Sequence, residues 1–120
     1  MELETLLDQD YSLGFNPYLA ETIGIPKALM LAHLHSTIEA YGMERDGRDW
    51  IYSTYDQLHT QLPFWSKGTI KQIILSLENE GFMVSCNYNN SKMDKTKWYS
   101  ICYEKYIDMR EDPDGFLLDY

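Results

Sequence analysis

Ten polar side chains in the middle of the chain have types and spacing suited to holding a polyanion. Lys67, Lys71, Lys92, Lys95 and Lys97 supply ammonium groups that can displace counterions from phosphate. Ser66 and Thr69 place hydroxyls at the start of a predicted helix, where free backbone amides also meet anions. Gln72, Ser76 and Asn79 carry the amide and hydroxyl groups that read base edges. Such a set does charge neutralisation and hydrogen bonding, not bond making.

Residues that could make or break bonds are scattered. His33, His35 and His59 define no common site, and on one helix His33 and His35 diverge by about 200°, so one is expected toward the core and the other toward solvent. Asp112 and Asp114 lie in a tail with no scaffold to shift their acidity. No nucleophile elbow and no glycine-rich phosphate loop occurs. Cys86 and Cys102 fall in two different predicted strands, with neither a CxxC pair nor zinc-type His/Cys spacing, and are read as reduced packing residues. The expectation is a protein that is not an enzyme and uses no metal or cofactor.

The elements that must position the polar set follow from periodicity and punctuation. Asn16 and Pro17 open a short helix over PYLAETIG, after a leader in which Tyr11, Leu13 and Phe15 alternate like an extended segment. Pro26 suits the first turn of a longer helix whose apolar face is Ala28, Leu29, Leu31, Ala32, His35 and Ile38, ending at Gly42. MERDGRD is polar and reads as a loop; Trp50, Ile51 and Tyr52 form a short strand. Thr54 and Gln57 make a capping box for a second core helix, which Pro63 ends. Ser66 caps the third, with its hydroxyl accepting from the amide of Gly68 or Thr69. Ile70, Ile73, Ile74 and Leu77 give that helix a core stripe, and Gly81 gives it a left-handed stop. Its opposite face collects Gly68, Gln72, Leu75 and Asn79, flanked by Lys71 and Ser76. FMVSCNYN and TKWYSICY then read as strands around the exposed tip NSKMDK, with Trp98, Ser100 and Cys102 on one face of the second and Lys97, Tyr99, Ile101 and Tyr103 on the other.

This order is that of an α+β winged helix-turn-helix: a three-helix core with a small antiparallel sheet and wing, preceded by an N-terminal extension. The divisions are residues 1–24 as an extension suited to dimerisation, 25–106 as the winged-helix domain and 107–120 as an acidic tail. At 120 residues the chain has the size of one domain, and its 44% hydrophobic content is that of a folded one. No apolar run approaches the length of a membrane span, and the acidic N-terminus is unlike a signal peptide, so a cytoplasmic, membrane-free location is expected.

Charge pulls against the polar set. The formal net charge is −9, which opposes non-specific attraction to a polyanion. From Leu62 to Ser100, however, five lysines face three carboxylates, whereas the rest of the chain carries five basic residues against sixteen acidic ones. The acids concentrate at Glu2, Glu4, Asp8 and Asp10 and again from Glu104 to Asp119.

The segment from Trp50 to Tyr106 resembles the winged-helix N-terminal domain of DnaD-related replication-initiator and replisome-organiser proteins of Gram-positive bacteria, their phages and plasmids. The likeness lies in Trp50, Ile51 and Tyr52; the turn Pro63, Phe64, Trp65 and Ser66; Thr69, Ile70 and Lys71; Leu77, Glu78 and Gly81; Asn87, Tyr88 and Asn89; and Asp94 to Tyr99. Upstream, IGIPKALMLAHLH is similar to that family's first helix, so the resemblance covers about residues 17 to 106. Gly68 departs from the polar or charged residue usual there. The resemblance implies a DNA-binding or self-associating module that works in replication initiation without catalysing a reaction. Two readings follow. In the first, the third helix enters the major groove of double-stranded DNA and the wing lysines brace the backbone. In the second, the fold serves as a homodimer or docks on replication proteins, motivated by the outward Leu75 and the acidic surface.

Overall fold

The computed structural model describes residue 3, residues 13–94 and residues 96–105. Tyr11, the acidic residues of the first ten, Lys95 and the acidic tail at 107–120 lie outside the described residues.

Helix α1 (Pro17–Ile23) begins where Asn16 Oδ1 accepts from the amides of Tyr18 and Leu19 at 2.8 and 3.2 Å. It packs on α2 (Ile25–Tyr41) and contributes Leu19 to the core. The buried residues of α2 are Ala28, Met30, Leu31, Leu34 and Ile38, which differs from the expected face: Leu29, Ala32 and His35 are only half covered. The helix is apolar nearly all round, so its own pattern does not select the buried side. That choice is made by packing against α1, α4 (Lys67–Asn79) and two strands. His33 and His35 also depart from expectation, since both are half buried and hydrogen-bonded: His33 Nε2 lies 2.7 Å from Gln61 Oε1, and His35 Nδ1 lies 2.7 Å from the Tyr103 hydroxyl.

The segment read as a loop is a hairpin. Strand β1 (Met43–Arg45) pairs antiparallel with β2 (Arg48–Ser53), with Met43 opposite Trp50 and Arg45 opposite Arg48. Asp46 and Gly47 turn the chain with φ of 53° and 78°, the paired left-handed conformation that Asp-Gly adopts in two-residue hairpins. Thr54 then caps α3 (Tyr55–Gln61): its hydroxyl accepts from the Gln57 amide and Gln57 Oε1 accepts from the Thr54 amide, as expected.

Helix α4 buries Ile70, Ile73, Ile74 and Leu77 against the centre of the domain. It stops in a Schellman arrangement. The Gly81 amide donates to the Glu78 carbonyl, the Phe82 amide donates to the Leu77 carbonyl, and Gly81 sits at φ 85°. Strands β3 (Met83–Cys86) and β4 (Lys97–Ile101) complete a four-stranded antiparallel sheet in the order β1-β2-β4-β3. Both are shorter than the strand-like runs suggest, because residues 87–94 and 96 belong to a wing loop with its own hydrogen bonds. With α1 and β1 as additions, the helix, strand, helix, helix, hairpin order is that of a winged helix.

Both sheet faces are covered at β4. Tyr99 and Ile101 enter the helical core with Ile51 of β2, while Trp98 and Ser100 lie on the outer face and are also buried. Cys86 and Cys102 are free thiols, and burial raises the pKa of each. Among the described residues no helix is long and apolar enough to cross a membrane.

Candidate nucleic-acid interface

Helix α4 turns its polar side outward because its isoleucines and Leu77 take the core. Lys71, Gln72 and Asn79 are exposed and Ser76 is half exposed. None of these four side chains has a hydrogen bond or ion pair among the described residues. Leu75 lies on the same side at 37% exposure. The helix start is tightly organised: Ser66 Oγ accepts from the Thr69 amide at 3.1 Å and donates to Thr69 Oγ1 at 3.0 Å. Both hydroxyls are therefore engaged in the cap, and the amides of Lys67 and Gly68 are the ones that no side chain covers.

Lys67 is committed elsewhere. Its ammonium lies 2.7 Å from Asp56 Oδ1 in the first turn of α3, and this hydrogen bond and the lysine charge lower the Asp56 pKa. The pair is exposed, so it locks geometry only weakly, but it offsets the positive charge at the head of α4.

The wing is held by amides. Trp98 Nε1 donates to Asn89 Oδ1 at 2.8 Å, and Asn89 Nδ2 donates to the carbonyls of Asp94 at 3.1 Å and Thr96 at 2.7 Å. Asn87 Nδ2 also donates to the Asp94 carbonyl, and Asp94 Oδ1 accepts from the Thr96 amide, which lowers the Asp94 pKa. Asn87, Asn89, Asp94, Thr96 and Trp98, all part of the family-like signature, thus specify the loop's fold. A turn closed by the Asp94 amide on the Ser91 carbonyl puts Lys92 and Met93 at the tip, Met93 with 88% of its surface exposed.

Lys97 does not join Lys92 at the tip. It sits half buried at the base of β4, opposite Ser53, beside a groove of about 320 Å³ lined also by Thr54, Tyr55 and Thr96. Under that groove the Tyr99 phenol is pushed above its ordinary pKa by burial first, then by Tyr55 and the Glu78 carboxylate. The Tyr55 hydroxyl and Glu78 Oε1 are removed from solvent without a well-formed hydrogen bond. Thr54, Tyr55 and Thr96 were not among the expected contact residues. Thr96 is Lys97's neighbour in the chain, whereas the adjacency of β2's end to β4's start brings Thr54 and Tyr55 to it, and nothing local in the sequence encodes that.

Nine of the ten expected residues therefore fall into three groups. Lys71, Gln72, Ser76 and Asn79 share the open side of α4; Ser66, Lys67 and Thr69 form its organised start; Lys92 and Lys97 occupy the tip and base of the wing. Lys95 lies outside the described residues.

No protein-family model and no curated protein matches the chain. Among solved structures, it is similar to one described as the N-terminal domain of a DNA-binding protein, at 16% identity over 95% of each chain with a TM-score of 0.49. That likeness is too slight to bear on function.

Proposed function

We propose that this winged helix binds double-stranded DNA, with α4 entering the major groove and the wing lying along the backbone. The observation that carries the reading is the open side of α4. On this 13-residue helix, Lys71, Gln72, Ser76 and Asn79 project to solvent with no intramolecular partner among the described residues. An α-helix fits the major groove, lysine can meet phosphate or guanine, and glutamine and asparagine suit adenine. Lys92 at the wing tip and Lys97 beside Thr54 and Thr96 supply further cations for the flanking phosphates. In keeping with the resemblance to replication-initiator and replisome-organiser proteins, the module serves replication initiation.

Duplex binding followed across salt tests this. Neutralising about three to five phosphates gives a slope of log affinity against log salt of roughly −3 to −4.5. Lys71→Glu should abolish binding, and a flat salt profile or no binding at low salt would sink the reading.

A second reading has its own support. Leu75 interrupts the polar side of α4, Asp56 cancels Lys67 at its head, and the chain is acidic overall. These features suit a module that docks on protein, either a second copy or a replication partner. Lys71→Glu separates the two, because it should abolish duplex binding but leave a dimer mediated by the N-terminal leader intact. A monomer at high micromolar concentration in sedimentation, with no partner recovered, counts against the second reading.

A further inference from the structure

The outer face of the sheet carries an aromatic and cationic cluster that duplex binding through α4 does not use. The register puts Tyr52 opposite Trp98, Trp50 opposite Met43 and Arg45 opposite Arg48, so all six share the face turned away from the helices. The Tyr52 ring lies 5.4 Å from Trp98, tilted by 40°. Tyr88 folds back from the wing and meets Trp50 and Trp98 edge to face, at 5.3 and 5.6 Å. The Arg45 guanidinium sits 5.0 Å from the Tyr88 ring centre and 5.8 Å from that of Trp98.

Within this cluster the two tryptophans are buried, while Tyr52 is 50% exposed and Met43 48% exposed. A half-bare tyrosine on an interior strand of a sheet, backed by an indole that holds its ring in place, is a flat apolar platform. Beside it, Arg45 is exposed and has no carboxylate partner among the described residues. Two neighbouring charges are already engaged: Arg48 pairs with Glu104 at 2.8 Å, and Asp46 accepts from the Tyr88 hydroxyl.

We infer that this face binds an unpaired nucleic-acid strand, with a base stacking on Tyr52 and the adjoining phosphate meeting Arg45. Both residues lie against the same indole, so about one or two nucleotides span them. A base in a duplex is stacked on its neighbours and has no free face for Tyr52. A protein partner fits less well: the exposed apolar side chains are few, whereas a stable interface needs roughly 800 Å² from each side. Stacking on an aromatic ring requires only the ring itself, and a cation seated on aromatic rings next to it matches the alternation of base and phosphate.

The test is fluorescence anisotropy on the full chain with labelled oligo-dT, oligo-rU and a blunt duplex, at low and moderate salt. Wild type should bind one or both single strands; binding of either supports the inference, and their ratio distinguishes a deoxyribose from a ribose strand. Tyr52→Ala should weaken strand binding about fivefold or more. Tyr52→Phe, which keeps the ring, should stay near wild type, and Arg45→Gln should make the single-strand salt slope shallower by about 0.7. Lys71→Glu should leave strand binding unchanged while it removes duplex binding, so the two readings fail separately. Absence of strand binding at low salt, or a Tyr52→Ala protein that folds by circular dichroism and binds as wild type does, would overturn the inference. So would self-association that Tyr52→Ala abolishes in a protein that binds no strand, since the face would then be a protein contact.

Discussion

The indole nitrogen of Trp98 donates to Asn89 Oδ1 at 2.8 Å, and the same carboxamide donates to the carbonyls of Asp94 and Thr96. One side chain thus ties the buried tryptophan of β4 to the far side of the wing loop. Each partner is at least partly shielded from water, so losing the amide leaves the indole donor and the Thr96 carbonyl without protein partners, while the Asp94 carbonyl keeps only Asn87.

Asn89→Ala is accordingly expected to cost about 2 kcal/mol of stability. It should also loosen the wing and so weaken duplex binding through Lys92. Urea denaturation measures the first effect and anisotropy the second. A variant as stable as wild type would show that solvent replaces the amide without loss.

Asp56→Asn releases Lys67 from its ion pair at the head of α4. The freed ammonium should add about one phosphate contact and steepen the duplex salt slope by about 0.9. Lys67→Ala in the otherwise native chain should change the slope far less. Equal slopes for wild type and Asp56→Asn would mean that Lys67 stands away from the DNA.

Two ends of α4 carry separable costs. Ser66→Ala removes the acceptor for the Thr69 amide and should cost about 1 kcal/mol. Gly81→Ala meets no atom within 4 Å of the added carbon, so its cost, about 1 kcal/mol, is purely that of a left-handed residue other than glycine. Thermal denaturation of the double variant should give nearly the sum, because the sites are too far apart to share partners.

Stability should fall at both ends of the pH range. The carboxyls of Asp56, Asp94 and Glu104 are lowered by Lys67, by the Thr96 amide and by Arg48, respectively. Groups depressed in the fold contribute stability above their ordinary values of 3.8 and 4.5 and lose it as pH falls through the lower folded values. Tyr99, raised by burial, and Tyr88, raised by its hydrogen bond to Asp46, act oppositely: their contribution is present below the ordinary 10.0 and is lost as pH rises beyond it. The urea midpoint should be flat from about pH 5 to 8 and drop on either side, the raised thiols of Cys86 and Cys102 adding to the alkaline loss. A midpoint at pH 11 equal to that at neutrality would remove Tyr99 and Tyr88 from this account.

Much of the framework was legible in the chain because its determinants are local. Thr54 with Gln57, Ser66 with Thr69, Asn16 with the two amides after it, and Gly81 with its left-handed φ each act within three residues. The stripe of Ile70, Ile73, Ile74 and Leu77 fixes how α4 rotates about its axis. The first hairpin was missed despite its Asp46-Gly47 turn, because charged residues crowd that turn and three-residue β1 is exposed throughout, leaving no apolar alternation to see. In α2 the apolar residues wrap most of the helix, so periodicity named a face and packing chose another.

By itself, then, the sequence determined the helix starts and stops, the outward polar side of α4 and the winged-helix order of elements, since dihedral preference, capping and periodicity act between near neighbours. Only the tertiary structure decided which of those polar groups are spoken for. Lys67 meets Asp56 across 11 positions, Lys97 is set beside Thr54 and Tyr55 by strand pairing, and Arg45 reaches Trp98 across the sheet. Charge neutralisation and ring contact depend on distance in space, which chain spacing does not encode.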